Sequence, residues 1–273
     1  DQAYLTVPQS IRDAMALAIR TITKFHQVPA QRQDSITTAP GVECWREYRP
    51  IERVGIYIPG GTAPLFSTVL MLAVPARLAG CKEVVLCTPP GKDGNVNPLI
   101  LAAAKMAGVS AIYKVGGIQS IAAMSLRTET IPKVDKIFGP GNQYVTAAKQ
   151  MAQMLGTAID MPAGPSEVLI IADEYADPEF VAADLLSQAE HGIDSQVMLL
   201  TTSPELAKAT RDEIQKQLKT LPRRSIIRKA LQNSKCILFP TISKCVQFSN
   251  LYAPEHLILA VKNPEKLIPQ IAS

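Results

Sequence analysis

The stretch VGIYIPGGTAPLFSTVLMLAVPARLAGCKEVVLC, residues 54–87, decides the fold class. Val54 to Ile58 is a short apolar run with β-branched residues, and it breaks at Pro59-Gly60-Gly61. From about Leu65 to Ala79 apolar residues continue for too long to be one strand, so this part is a buried helix; Glu83 to Cys87 then repeats the first run. A strand, a glycine turn, a helix and a second apolar strand make a βαβ unit. Its strands pair in parallel, and the crossover helix covers one face of the sheet.

The same rhythm continues downstream. A helix over Val96 to Ala107 leads to a strand over Ala111 to Val115, with Gly116-Gly117 opening a helix to about Leu126. Lys136 to Phe138 is a further strand, Gly139-Pro-Gly-Asn142 opens the next helix, and Thr157 to Ile159 is a fifth strand. Two prolines and a glycine in Asp160-Met-Pro-Ala-Gly-Pro165 interrupt both periods and mark a boundary. Beyond it come strand Val168 to Ala172, helix Pro178 to Glu190, strand Gln196 to Leu200, and helices Pro204 to Lys219 and Arg224 to Asn233. Strand Cys236 to Phe239, helix Ser243 to Asn250, strand Leu257 to Val261 and a last helix from Pro264 complete the pattern. The expected architecture is α/β, with two doubly wound, Rossmann-like parallel-sheet domains. Residues 55–164 form a glycine-rich α/β domain and residues 165–273 a second α/β domain. Residues 1–54, a helix over Pro8 to Phe25 and an extended segment over Val42 to Arg49, are expected to pack with the second domain.

Composition excludes several classes. A chain of 273 residues with 47% hydrophobic content can bury a large core, and a net charge of +4 from 28 basic and 24 acidic residues makes no nucleic-acid footprint. The densest basic run, Arg223-Arg224 with Arg228 and Lys229, reads as a solvated helix face. No apolar run reaches the roughly 20 residues needed to span a bilayer, and the first residues lack a signal-peptide pattern, so the expected location is cytoplasmic. The five cysteines, Cys44, Cys81, Cys87, Cys236 and Cys245, contain no CxxC pair and read as reduced thiols.

Ligands of open α/β sheets bind beyond the carboxyl ends of the strands, near the point where strand order reverses. The turns at Pro59–Pro64, Val115–Gln119 and Gly139–Asn142 follow strands and open helices, so their amides can face a phosphate; none matches G-x-G-x-x-G or a Walker A loop. Each can equally be a tight turn without a ligand. Gln188 and His191, three residues apart, share a helix face that can serve a metal or substrate, or can simply be a polar face near a helix end capped by Gly192. Glu255-His256 supplies two proton-transfer groups where a loop enters a strand. Neighbours on a strand point oppositely, so both reach one site only if the turn after Pro254 is irregular.

Taken together, the words Gly55–Gly61, Ala63–Met71, Lys133–Asn142, Asp160–Glu167, Leu185–His191 and Pro254–His256 resemble the histidinol dehydrogenase family, in the family's order and over nearly the whole chain. The resemblance implies an NAD-dependent, four-electron oxidation of L-histidinol to L-histidine through an enzyme-bound aldehyde, by a homodimer with one zinc per subunit. It implies NAD contacts at Tyr57, Gln119 and Asn142, substrate contacts at Ser166, Gln188, His191 and His256, and zinc ligation by Gln188 and His191. His256 matches the general base and Glu255 the residue that activates water. Zinc would orient the substrate's amine and imidazole while His256 takes the hydroxyl proton as hydride leaves for NAD.

Family members also carry helices before the counterpart of Asp1 and a segment beyond the counterpart of Ser273 that supplies further zinc and substrate contacts. A polypeptide limited to these residues is therefore expected to bind zinc poorly and to be nearly inactive. Two other functions fit the residues: a non-catalytic remnant that binds nucleotide or substrate, and an aldehyde dehydrogenase using Cys87 as nucleophile.

Overall fold

Apolar side chains alternate along each central strand, and that alternation builds two sheets with helices on both faces. The protein is seen in a computed structural model that describes residues 2–27, 35–60, 64–162, 164 and 166–272. The chain divides into two compact units, Asp1–Ala163 and Gly164–Ser273. The division falls in the Asp160–Pro165 stretch, whose Ala163 and Pro165 lie outside the described residues.

The first unit begins with α1 (Gln2–Thr6), α2 (Gln9–His26) and an antiparallel hairpin of β1 (Ile36–Ala39) and β2 (Val42–Cys44). There follow β3 (Arg53–Tyr57), α3 (Phe66–Leu78), β4 (Glu83–Cys87), α4 (Pro98–Ala107), β5 (Ala111–Tyr113), α5 (Gly117–Leu126), β6 (Lys136–Phe138), α6 (Gln143–Met154) and β7 (Ala158–Ile159). Its parallel sheet has the order β5-β4-β3-β6-β7, so the chain reverses direction across the sheet between β3 and β6. Val54 and Ile56 of β3, with Val84 and Leu86 of β4, face the core under α3 and α4. Tyr57, Val85 and Cys87 face the opposite core, with Ile121, Met124 and Val145 of α5 and α6.

The helix read over Pro8 to Phe25 is α2, and α1 before it was not read from the sequence. Tyr4, Val7, Ile11 and Met15 pack into the core of the first unit, where α2 lies on α3 and α1 on α4. The α2 stripe is apolar because α3 is apolar all round and needs a cover. The segment over Val42 to Arg49, read as extended, begins with β2, the second strand of a hairpin turned at Pro40-Gly41 with Gly41 at φ +78°.

The second unit contains β8 (Glu167–Ala172), α7 (Pro178–Ala189), β9 (Gln196–Thr201), α8 (Pro204–Gln217), α9 (Arg224–Gln232), β10 (Lys235–Leu238), α10 (Ile242–Tyr252) and β11 (His256–Ala260). Its parallel sheet has the order β10-β9-β8-β11. Val168, Ile170 and Ala172 face α7, α8 and α9, whereas Leu169 and Ile171 face α10. Side-chain caps fix the helix starts: Asn97 on Leu99, Asp177 on Glu179, Ser203 on Leu206 and Thr241 on Lys244. The expected final helix from Pro264 is two short 3₁₀ turns, Pro264–Lys266 and Ile268–Gln270. Pro269 has no N–H to continue an α-helical ladder. Arg224, Arg228 and Lys229 lie exposed on α9.

Candidate active site

At the carboxyl edge of the first sheet, three loops crowd together. A Cβ on Gly116 would stand 2.5 Å from Pro89, and one on Gly60 would stand 2.7 Å from the same ring, so the turns after β3 and β5 close on the loop after β4. Gly61, Thr62 and Ala63 of the first glycine turn lie outside the described residues. Tyr57, at the end of β3, is 4% exposed, and its ring reaches past β4 so that the hydroxyl accepts the Gly117 N–H at 3.1 Å. One of the amides expected to face a ligand is thereby committed to the protein itself. The hydroxyl keeps its own proton free to donate.

The third turn lies at the strand-order reversal. Gly139 follows β6 with φ +129°, and a Cβ there would fall 2.1 Å from the Tyr57 carbonyl oxygen. Any other residue would collide with β3. Asn142 caps α6: its Oδ1 accepts N–H groups of Tyr144 and Val145, both at 3.1 Å, which leaves its amide hydrogens as the donors it can offer. Gln119 is exposed in the first turn of α5. Beside the first turn and the loop after β4, against α1 and α4, an open cleft of about 790 Å³ is lined by Pro59, Gly60, Thr88, Pro89, Asn97 and Lys114, among others. Thr88 is buried there with no hydrogen-bond partner for its hydroxyl.

In the second unit the polar groups gather at the other edge, at the amino ends of the strands. Glu167 and His256 are the first residues of β8 and β11, and α7 runs back so that its C-terminal end returns to this edge. Glu167 is the anchor. Its N–H donates to Glu255 Oε2 at 3.3 Å, and its carbonyl accepts from Gln188 Nε2 at 3.4 Å. Ser166 sits beside it, its carbonyl accepting the Gln196 N–H at 3.0 Å.

The turn before β11 is irregular, as a shared site requires. Ala253 ends α10 in the left-handed region, at φ 54°, with Pro254 next, and Glu255 Oε2 then comes within 3.9 Å of His256 Nε2. Both side chains are well exposed. His191 lies just beyond the last helical residue of α7, and its Nδ1 is 3.0 Å from the Ser187 carbonyl oxygen. A carbonyl only accepts, so Nδ1 carries the proton and Nε2 presents a lone pair. Gln188, largely buried, donates an amide hydrogen to the Glu167 carbonyl and keeps Oε1 as an acceptor. The chemistry of this pair, an imidazole Nε2 oriented by a backbone carbonyl and an amide oxygen, fits part of a zinc ligand set. Among the described residues no group of three or more His, Cys, Asp or Glu is placed to hold a metal.

Two further members of this edge were not singled out from sequence. The Tyr252 hydroxyl donates to Gln196 Oε1, and the phenol is pushed up by burial and then by the Glu167 carboxylate beside it. Glu167 ends one quoted motif and Tyr252 lies just before another, and neither carries a spacing signal of its own. Cys87 is fully buried at the end of β4, and burial pushes its thiol up to about 12, so it stays protonated at neutral pH.

The histidinol dehydrogenase family profile matches residues 1–273. The chain belongs to the histidinol dehydrogenase family. It is similar to the histidinol dehydrogenase of Bacteroides fragilis, 57% identical over all of this chain and 64% of that protein. The Bacteroides thetaiotaomicron enzyme is 58% identical over 94% of this chain and 60% of its own length. The crystal structure of histidinol dehydrogenase from Elizabethkingia anophelis superposes on the whole chain with a TM-score of 0.96 at 60% identity, covering 63% of that structure. The chain thus spans about 64% of the length of such relatives. No helix among the described residues is long and apolar enough to cross a membrane.

Proposed function

We propose that the protein oxidises L-histidinol to L-histidine with NAD as hydride acceptor, as a cytoplasmic, zinc-containing homodimer. Most support comes from Glu167, whose two backbone groups hold Gln188 on one side and Glu255 on the other, so that a candidate metal ligand and a candidate proton acceptor share one anchor.

Gln188 Oε1 and His191 Nε2 would hold zinc, with the remaining ligands coming from the part of the relatives' length that this chain does not span. Zinc, when bound, would orient the amino alcohol, and NAD would accept hydride. His256 is exposed on the same edge and would take the hydroxyl proton in the alcohol step. Glu255, 3.9 Å from it, would take a proton from the water that hydrates the aldehyde. Ser166, preceding Glu167, would contact the substrate. In the first unit the Tyr57 O–H, the Asn142 amide hydrogens and the exposed Gln119 would contact NAD.

Oxidising an alcohol to a carboxylate removes four electrons, so the intact enzyme should release two NADH per histidinol consumed. Simultaneous quantitation of NADH and histidine tests this. Absence of NADH, or one NADH with a free aldehyde product, would overturn the proposal.

A further inference from the structure

Lys149 of α6 is 4% exposed, a burial that lysine accepts only with fixed partners. Its Nζ donates to the Gly139 carbonyl at 2.9 Å and makes a close ion pair with Asp160. Asp160, in turn, accepts the Gly139 N–H at 2.8 Å. One glycine therefore has its N–H held by the carboxylate and its C=O held by the ammonium, while its α-carbon leans on the Tyr57 carbonyl. Three segments meet there: α6 supplies the lysine, the segment after β7 the aspartate, and the turn after β6 the glycine.

A buried ion pair of this kind is weak evidence for stability, because apolar residues of similar volume commonly serve the fold as well. What apolar residues cannot do is hold both backbone hydrogen-bonding groups of one residue. We infer that Lys149 and Asp160 are positioning residues, whose joint hold on Gly139 sets the Gly139-Pro-Gly-Asn142 turn, and with it the Asn142 amide, in the orientation that receives NAD. Neither residue is among those proposed to contact the cofactor. The inference rests on the proposed NAD site, and it assigns that site a support one layer beneath the contacting residues.

The test compares the intact enzyme with K149M, D160A and D160N by steady-state kinetics in NAD and in histidinol, with thermal unfolding alongside. K149M and D160A should raise KM for NAD about tenfold while KM for histidinol stays within about twofold. D160N, whose amide oxygen still accepts the Gly139 N–H, should recover most of the NAD affinity. If K149M does not fold, the apolar pair K149M/D160L is read in its place and should show the same selective rise. An unchanged KM for NAD in a folded variant would overturn the inference, as would parallel rises for both substrates, since those mark a merely structural role. Lack of NAD-dependent turnover by the unsubstituted enzyme would instead refute the functional proposal itself.

Discussion

The two units share one architecture and use opposite edges of it. The first presents its candidate cofactor groups at the carboxyl edge, where turns are built from glycine, proline and backbone: Gly116 against Pro89, Gly139 against Tyr57. The second presents its candidate catalytic groups at the amino edge, where Gln188, Glu255 and His256 are side chains arranged around the Glu167 peptide. The switch-point rule describes the first unit and has no bearing on the second. The lesson is that a fold-level rule locates sites made of turns, whereas a site made of side chains follows from what each strand entry and helix exit carries.

This contrast predicts how each edge fails. The second should fail by deletion: His191→Ala in the intact enzyme removes an oriented Nε2 and should weaken zinc binding more than about 100-fold, beyond what loss of an outer support costs. Metal content after dialysis against a graded chelator would measure it, and unchanged zinc retention would remove His191 from the ligand set. The first should fail by addition. Gly139→Ala places a methyl group on the Tyr57 carbonyl at a φ that disfavours it, and should cost roughly 3 kcal/mol of stability in denaturant unfolding. A loss under about 1 kcal/mol would mean the turn relaxes freely.

Most of the fold was legible from the alternation of apolar strands and helices. Among the described residues, observed bounds of the nine parallel strands lie within two residues of those read from sequence, because both sheets are covered on both faces and their strands are nearly continuous apolar runs. The hairpin was missed although Pro40-Gly41 signals a tight turn, because its strands are exposed and lack a buried face. The placement of α1 and α2 depended on which apolar stripe would be covered, and a one-dimensional pattern does not carry that. For the site, motif resemblance pointed to Gln188, His191, Glu255 and His256. Periodicity could not find the anchoring role of Glu167 or the hold of Lys149 on Gly139, since both span long sequence separations.

Smaller effects sharpen the contrast further. With its pKa raised to about 12, Cys87 should remain unmodified by an alkylating reagent at pH 8 while exposed Cys44 reacts, and activity should persist. Peptide mass spectrometry would show it, and labelling of Cys87 at the rate of Cys44 with loss of turnover would favour a thiol mechanism. Ala253→Gly relieves a left-handed alanine before Pro254 and should raise stability by up to about 1 kcal/mol. A clear loss of stability would show that the alanine methyl packs where Gly cannot substitute for it.

The most direct test is the initial rate of NADH formation from histidinol by the intact enzyme carrying His256→Asn, at saturating NAD and zinc. If the imidazole at the entry of β11 takes the hydroxyl proton, the rate should fall by about 100-fold or more with the protein still folded and zinc-loaded. A rate equal to that of the unsubstituted enzyme would contradict the assignment of catalysis to the amino edge of the second sheet.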